Sequence, residues 1–562
     1  MRFDARPHRT MILTRATLLI AFSSLAAQAA EPVVPDAGSI LQQVQPAMPP
    51  SPSSTGTGLT IEQEGGGKLP PSAPFMIAAL QISGSTLFDT MTLRALVAGA
   101  EGQSLTLPQL DEWVARITDY YHSHGYPLAR AFIPAQTIQA GIVRIEIIEA
   151  RYGKIGLDNR SRVKNALLQA TLSPLQSGQA INQMGLDHAL LLLSDIPGVV
   201  INATLKPGVS AATSDLLLEA ASGPSVAGSM ALDSYGNRYT GRTRAGGTVN
   251  FINPLHHGDV LSLSGLSSGS GMNYVRISYD TLLNGKGSRI GGSYSALHYV
   301  LGDTLTSING HGTAEVGSLW AKHPLLRSRD ANLYAQIQYE QVQLRDHIEA
   351  SAIRTDRHLE NWTGSLIGDT RHAIGINTWN LGLTTGRVDF DDGAAQLADA
   401  ASARTQGSFT KWNASLARLQ SLDPQNALYL NFTAQGANGN LDSSQKMTAG
   451  GPYTVRAYDM GAVSGDAGYE FSAEYRHDLK SVWHGQWQAV AFIDSAHVLV
   501  NKSSWSAGAN SATLTGAGAG LNWTGAKQWN ARAYVATPVG ATPALVASSA
   551  SVRAWIEIGR GF

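Results

Sequence analysis

The chain has 562 residues and a formal net charge of −1, so its electrostatics call for neither a nucleic-acid nor an anionic-lipid partner. Cysteine is absent, which excludes thiolate metal sites, thiol nucleophiles and disulfide frameworks, and agrees with passage through an oxidising compartment. With 15% charged residues and 58 glycines, the composition favours many short strands and turns.

Arg2, Arg6, Arg9 and Arg15 accompany an apolar run from Ala16 to Ala27 and an Ala27-Gln28-Ala29 site. This layout predicts a secretory signal peptide over 1–29, cut before Ala30. No later run approaches the ~18 uninterrupted apolar residues of a membrane-spanning helix, since Leu190–Leu193 is stopped by Ser194, Asp195 and Pro197. An exported chain of this kind is either soluble in the periplasm or a β-barrel in an outer membrane. Residues 30–74 read as a short amphipathic helix at 36–44 followed by a Pro/Ser/Thr/Gly-rich linker from Pro46 to Pro74, a flexible or extended tether.

From Phe75 the pattern becomes globular. An apolar run Phe75–Ile82, a helix at Thr90–Ala98, a second helix from Thr106 with Leu110, Val114 and Ile117 on one face, and strands Leu128–Ile133 and Ile142–Ile148 make a β-α-α-β-β unit over 75–150. A second unit over 151–223 repeats it: Tyr152–Leu157, helices Val163–Ala170 and Gln183–Leu193, then Val199–Leu205 and Ser214–Ala220. Two consecutive modules of one design suggest a repeated interaction domain whose sheet edges can accept an extended partner strand; packing alone is the competing reading.

Over 224–562 the helical period gives way to about sixteen strands separated by Gly, Asn and Asp turns. The faces alternate: Leu428, Leu430, Phe432 and Ala434 against Tyr429, Asn431 and Thr433; Phe471, Ala473 and Tyr475 against Glu470, Ser472 and Glu474. Charges therefore share one face, as in a transmembrane barrel, where a charge on the lipid side near mid-depth costs about 2–4 kcal/mol. A soluble β-sandwich would carry more charge on its outer face.

One loop, Gly450-Gly451-Pro452-Tyr453-Thr454-Val455-Arg456-Ala457-Tyr458-Asp459, sets a cation among apolar and aromatic neighbours. If buried, Arg456 needs a carboxylate partner. Asp494 is a candidate, because Trp487, Ala489, Ala491 and Ile493 take one face of their strand and leave Phe492 and Asp494 on the other, toward a lumen. A hairpin tip with a solvated Arg is the competing reading. Val552, Ala554, Ile556, Ile558 and the terminal Phe562 share one register of the last strand.

At these residues the chain resembles a known family: the outer-membrane transporters of two-partner secretion, the TpsB or hemolysin secretion/activation type of the Omp85 superfamily. Val455-Arg456-Ala457-Tyr458 resembles the family's VRGY signature on a long surface loop, here 439–467 between strands eleven and twelve; Phe492-Ile493-Asp494 resembles its F-x-D signature on strand thirteen. Asp233–Gly241 and Asn253-Pro254-Leu255 resemble its opening barrel hairpin. The resemblance implies two POTRA modules at 75–150 and 151–223 ahead of the barrel. It implies that loop 439–467 folds inward so that Arg456 pairs with Asp494, that the helix at 36–44 plugs the pore, and that Phe562 ends a signal read by the barrel-assembly machinery. It also implies partners: a secreted, β-helical TpsA-type exoprotein, periplasmic chaperones during biogenesis, and outer-membrane lipid, with the modules in the periplasm. Ala457 stands where the family has Gly, which would cost roughly 1 kcal/mol if the position needs φ > 0.

An Omp85-type assembly factor is the alternative within the fold, and two modules rather than a longer series argue against it. No enzyme, cofactor or metal centre is expected. Gly265-Leu266-Ser267-Ser268-Gly269 matches G-x-S-x-G but has no following helix, Gly285-Lys286-Gly287 lacks the hydroxyl of a phosphate loop, and His256-His257 reads as a wet loop.

Overall fold

The computed structural model describes residues 34–44, 53–54, 56, 58–62, 70–481, 485–546 and 550–562. The signal-peptide expectation at 1–29 lies outside them.

In the first α/β unit, Ala79–Ser83 runs parallel to Ile142–Ile148, which pairs antiparallel with Arg130–Phe132. Helix Leu107–Ser123 starts where Thr106 and Gln109 form a reciprocal capping box, with proline in the first turn. It buries Leu110, Val114, Ile117 and Tyr121 against alternating Val143, Ile145 and Ile147. The run Phe75–Ile82 is not one strand. The Ile77 and Ala78 amides turn aside to Gln103 O and Gly141 O, which breaks it into Phe75–Met76 and Ala79–Ser83. The strand expected at 128–133 shortens to three residues.

The second unit comprises Arg151–Asn159, helices Asn165–Leu172 and Gln183–Ser194, and strands Val199–Pro207 and Thr213–Ser222. Its sheet has a fourth strand that the sequence reading missed. Gly58–Ile61 of the linker lies parallel to Val199–Pro207 and occupies that sheet edge, with Gly58 opposite Asn202 and Ile61 opposite Leu205. The tract from Pro46 to Pro74 is therefore not wholly a free tether. Four residues offer little pattern, and Leu59 packs against the unit's core.

Sixteen antiparallel strands, from Val226–Asp233 to Arg553–Gly561, close a barrel. All sixteen expected strands are present. The opening hairpin, expected as strands 226–238 and 241–253, is shorter, pairing Val226–Asp233 with Arg244–Ile252, because Asp233 accepts the Tyr235 amide and the Arg244 guanidinium and turns the chain early. The closing seam is the shortest pairing of the barrel: Ser229–Asp233 against Glu557–Gly561, extended by reciprocal Gly228–Phe562 backbone bonds. Val275, Ile277, Leu381, Leu383 and Ile493 are exposed on the outer face, and polar side chains such as the Gln336–Gln338–Glu340 ladder face inward. Among the described residues no helix is long and apolar enough to cross a membrane.

Candidate functional site

Among the described residues two elements pack inside the barrel on a buried arginine each. The first is residues 438–466, between strands Asn426–Ala437 and Ala467–Asp478. A short hairpin, Met447–Ala449 with Val463–Gly465, leads the segment inward, and Gly450 and Gly451 turn it with φ of 101° and 114°, values that glycine tolerates without strain. At the tip Val455, Ala457 and Tyr458 pack against Val490, Phe492, Ala496 and Leu514 of the wall.

Arg456 is 4% exposed. Its Nε donates to Asp494 Oδ2 at 2.8 Å and its Nη2 to Asp494 Oδ1 at 2.7 Å, a planar fork on a carboxylate. Nη1 reaches Glu474 Oε1 at 2.7 Å and Nη2 also reaches Ser472 Oγ at 3.1 Å. The Arg456 amide donates to Asp494 Oδ2, and the guanidinium lies 3.4 Å from the Phe492 ring centroid. Nε, Nη1 and Nη2 of the guanidinium thus each meet an acceptor, as a buried cation requires. The sequence reading brought together Arg456, Phe492 and Asp494 but did not assign Glu474 or Ser472 to the site. Their signal was present, since the alternation put Glu470, Ser472 and Glu474 on the lumen face; the missing knowledge was the register, which sets Ser472 opposite Asp494.

Ala457 does not lie at positive φ, so the conditional penalty does not arise. Its methyl instead meets Gly516, where a Cβ would collide with it. Space for the extra methyl group comes from the facing strand.

The tip also reaches the seam. Trp555 Nε1 of the last strand donates to Arg456 O at 2.7 Å, Asp459 accepts from Arg242 at 2.8 Å and Arg553 at 2.5 Å, and Asn237 donates to Met460 O. Tyr235, Tyr453 and Trp555 pack edge to face. A polar cavity of about 360 Å³ beneath the tip is lined by Arg456, Glu470, Arg476, Arg532 and Tyr534 among others. Phe562 is half exposed on the outer face.

The second element is helix Ala37–Val44, inside the barrel. Ile40 and Leu41 pack with Tyr299, Leu344, Leu359, Val388 and Phe409 of the wall. Arg357, 3% exposed, holds the helix start: it donates to Asp36 Oδ2 at 2.8 Å, Asp346 Oδ2 at 2.8 Å and Asp442 Oδ2 at 2.5 Å. Asp346 also accepts from the Ala37 amide at 2.7 Å, meeting one of the donors that a helix N-terminus leaves open. Gln42 donates to Ser444 O and Gln43 lies against Gly461, so helix and loop touch. At the other end of the barrel, buried Arg327 joins three parts of the chain. It donates to Ser54 O of the linker at 2.7 Å, to Asp195 of the second unit at 2.7 and 2.8 Å, and to Asn332 of the wall at 3.0 Å.

A family model for the haemolysin secretion/activation protein ShlB/FhaC/HecB matches residues 212–523, and one for the POTRA domain, ShlB-type, matches 75–150. The heme/hemopexin transporter protein HuxB of Haemophilus influenzae (strain 86-028NP) is 27% identical over 444 residues, spanning 78% of this chain and 79% of HuxB. The outer membrane transporter CdiB of Escherichia coli is 23% identical over 462 residues, spanning 80% and 76%. Among solved structures, CdiB from Escherichia coli superposes with a TM-score of 0.69 at 21% identity, covering 90% of this chain and 93% of that one. BamA from Haemophilus ducreyi lacking POTRA domains 1–3 reaches 0.51 at 13%, covering 87% and 100%. At these identities both structures bear on the fold alone.

Proposed function

The chain belongs to the haemolysin secretion/activation protein family ShlB/FhaC/HecB and is an outer-membrane transporter of two-partner secretion; from that premise we propose how its parts divide the work. The periplasmic modules receive an unfolded TpsA-type exoprotein by strand addition at a sheet edge, which recognises extended backbone whatever its sequence. The exoprotein then passes through the barrel and folds outside, and folding there biases the direction without a nucleotide.

The observation that carries this reading is that the lumen is filled twice, by the helix at 37–44 and by the loop tip, each on a buried arginine. A pore blocked this way has a resting state. The helix is the movable plug: it is eight residues long and tied to the wall through side chains such as Asp346, which accepts the Ala37 amide, and among the described residues its backbone-to-backbone bonds stay within its own turns. The loop tip is the fixed element, its Arg456 specifying one docked conformation rather than adding net stability. Val455 and Tyr458 pack the tip against the wall, and Phe492 stacks on the guanidinium. During biogenesis the last strand, ending at Phe562, is presented to the barrel-assembly machinery after delivery by periplasmic chaperones.

Deleting 75–150 tests capture. The barrel completes its own hydrogen-bond ladder and should still insert, giving a heat-modifiable band but no exoprotein outside the cell. Secretion at the normal level by this truncation would reject capture by the first module.

A further inference from the structure

At the end of the barrel remote from the modules, the outer wall gathers metal-ligating side chains that none of the transport steps uses. Gly310–Arg327, Ala331–Ile348 and Ile353–His372 are the longest strands of the barrel, 18, 18 and 20 residues. On the middle one the outward row reads Leu333, Ala335, Ile337, Tyr339 and then Gln341, Gln343, Arg345, His347. Tyr339 lies across from Trp362 with ring centroids 5.0 Å apart, an aromatic pair where the apolar row gives way to the polar one, as at a membrane interface. The polar row beyond that pair fits a wall that stands clear of lipid.

Near its tip His311 lies directly across from His347, and Glu349 follows in the turn. His311 Nε2 is 3.1 Å from Glu349 Oε1, the two imidazole centroids are 5.3 Å apart, and one ligand atom from each of the three residues falls within 4.8 Å of the others. Asp356 of the next strand is 3.6 Å from His347 Nε2; its Oδ1 is shielded from solvent and accepts no hydrogen bond among the described residues. Two imidazoles thus stand beside two carboxylates.

We propose that His311, His347 and Glu349 form a cell-surface site for a borderline divalent cation of the Zn²⁺ class, with Asp356 in reach as a fourth ligand. Nitrogen donors select zinc, copper or nickel over calcium and magnesium, which take oxygen. A tetrahedral zinc with bonds of about 2.1 Å needs ligand atoms about 3.4 Å apart. The directly paired histidines sit on rigid strands, and the half-exposed Glu349 side chain has the freedom to close that gap. Arg345 is drawn off to Glu315 at 3.4 Å, while Arg354 lies across from His347 and lowers the affinity. The bound ion would tie the hairpin tip to the strand beside it and stiffen the rim.

The test is titration of the untagged, chelator-treated mature protein in detergent with ZnCl₂, read by calorimetry and by competition with a chromogenic chelator. One ion should bind with a Kd near or below about 10 µM, and CaCl₂ should not displace it. Binding should weaken at least tenfold in His311→Asn and in His347→Asn and stay unchanged in His372→Asn, a histidine at the opposite end of its strand, with the heat-modifiable band confirming fold in each. No binding below about 100 µM, or full binding in the two site variants, would overturn the proposal.

Discussion

Removing Arg456 and removing Asp494 should not be equivalent, and the difference can be worked out from the contacts. Arg456→Ala leaves Asp494, which is 0% exposed, with Ser472 and a backbone amide as its remaining donors, and strands Glu474 with Arg476 alone. Breaking a buried pair by deleting one partner costs about 3–5 kcal/mol, and loss of the stack on Phe492 adds about 0.5–2 kcal/mol. Asp494→Ala keeps the Arg456–Glu474 bond and the stack, so it should fall at the lower end of that range. At 1.36 kcal/mol per decade, 3 kcal/mol shifts the docked-to-undocked ratio of the tip by roughly a hundredfold. Because the chain has no cysteine, a single Thr454→Cys reporter gives a clean readout: slow labelling by a membrane-impermeant maleimide in the parent, faster in Asp494→Ala, fastest in Arg456→Ala, with secretion falling in the same order. Combining Arg456→Asp with Asp494→Arg should restore only part, since the Arg456 amide and Phe492 contacts cannot be swapped with the charges. If the single effects simply add in the double alanine variant, within about 0.5 kcal/mol, the two residues are not coupled and the docked geometry is wrong.

Arg357→Ala should leave Asp36, Asp346 and Asp442 repelling one another, free the helix at 37–44 and raise single-channel conductance in planar bilayers; an unchanged trace would sink the plug assignment. Gly516→Ala should impair secretion by pushing its new methyl into Ala457, and Ala457→Gly should suppress that defect; failure of suppression would mean the two do not meet. In the first module Glu149 accepts from the Thr86 and Leu87 amides at 2.7 and 2.8 Å and from the Tyr121 hydroxyl at 2.8 Å. Burial pushes its carboxyl up, but the hydrogen bonds from Thr86 and Leu87 outweigh it and hold the carboxyl below the usual range. A depressed folded-state pKa contributes stability that is complete above the unfolded value of about 4.3 and is lost as pH falls below that value and through the lower folded-state one. Glu149→Gln should therefore lower the melting temperature of this module at pH 7 and narrow the gap to the parent at pH 3; an equal gap at both would refute the linkage.

The barrel was legible because its physics repeats: each strand states the same rule, polar inward and apolar outward, so one misread residue changes little. The pairing of Arg456 with Asp494 was legible for a related reason, because a cation amid apolar residues demands a counter-ion on an inward register. What stayed hidden depends on register or on distance along the chain. Ser472 enters the site only because it lies opposite Asp494, and Asp36 meets Arg357 across more than three hundred positions with no local pattern to announce it. The linker strand was hidden for the opposite reason, since Gly58–Ile61 borrows its stability from the edge it covers and carries almost none in its own sequence.

The clamp on Ser54 sets a length. Between Val44 at the end of the helix and Ser53 beside the clamp there are nine peptide steps, which reach at most about 32 Å. A helix released from the lumen while Arg327 keeps its hold would therefore remain tethered at the barrel mouth, at an effective concentration of order millimolar toward the site it left. Re-entry after each passage would be an intramolecular event, fast and independent of how much protein the membrane holds. The transporter would reseal itself without a second component, and shortening or lengthening residues 45–52 would tune how quickly it does so.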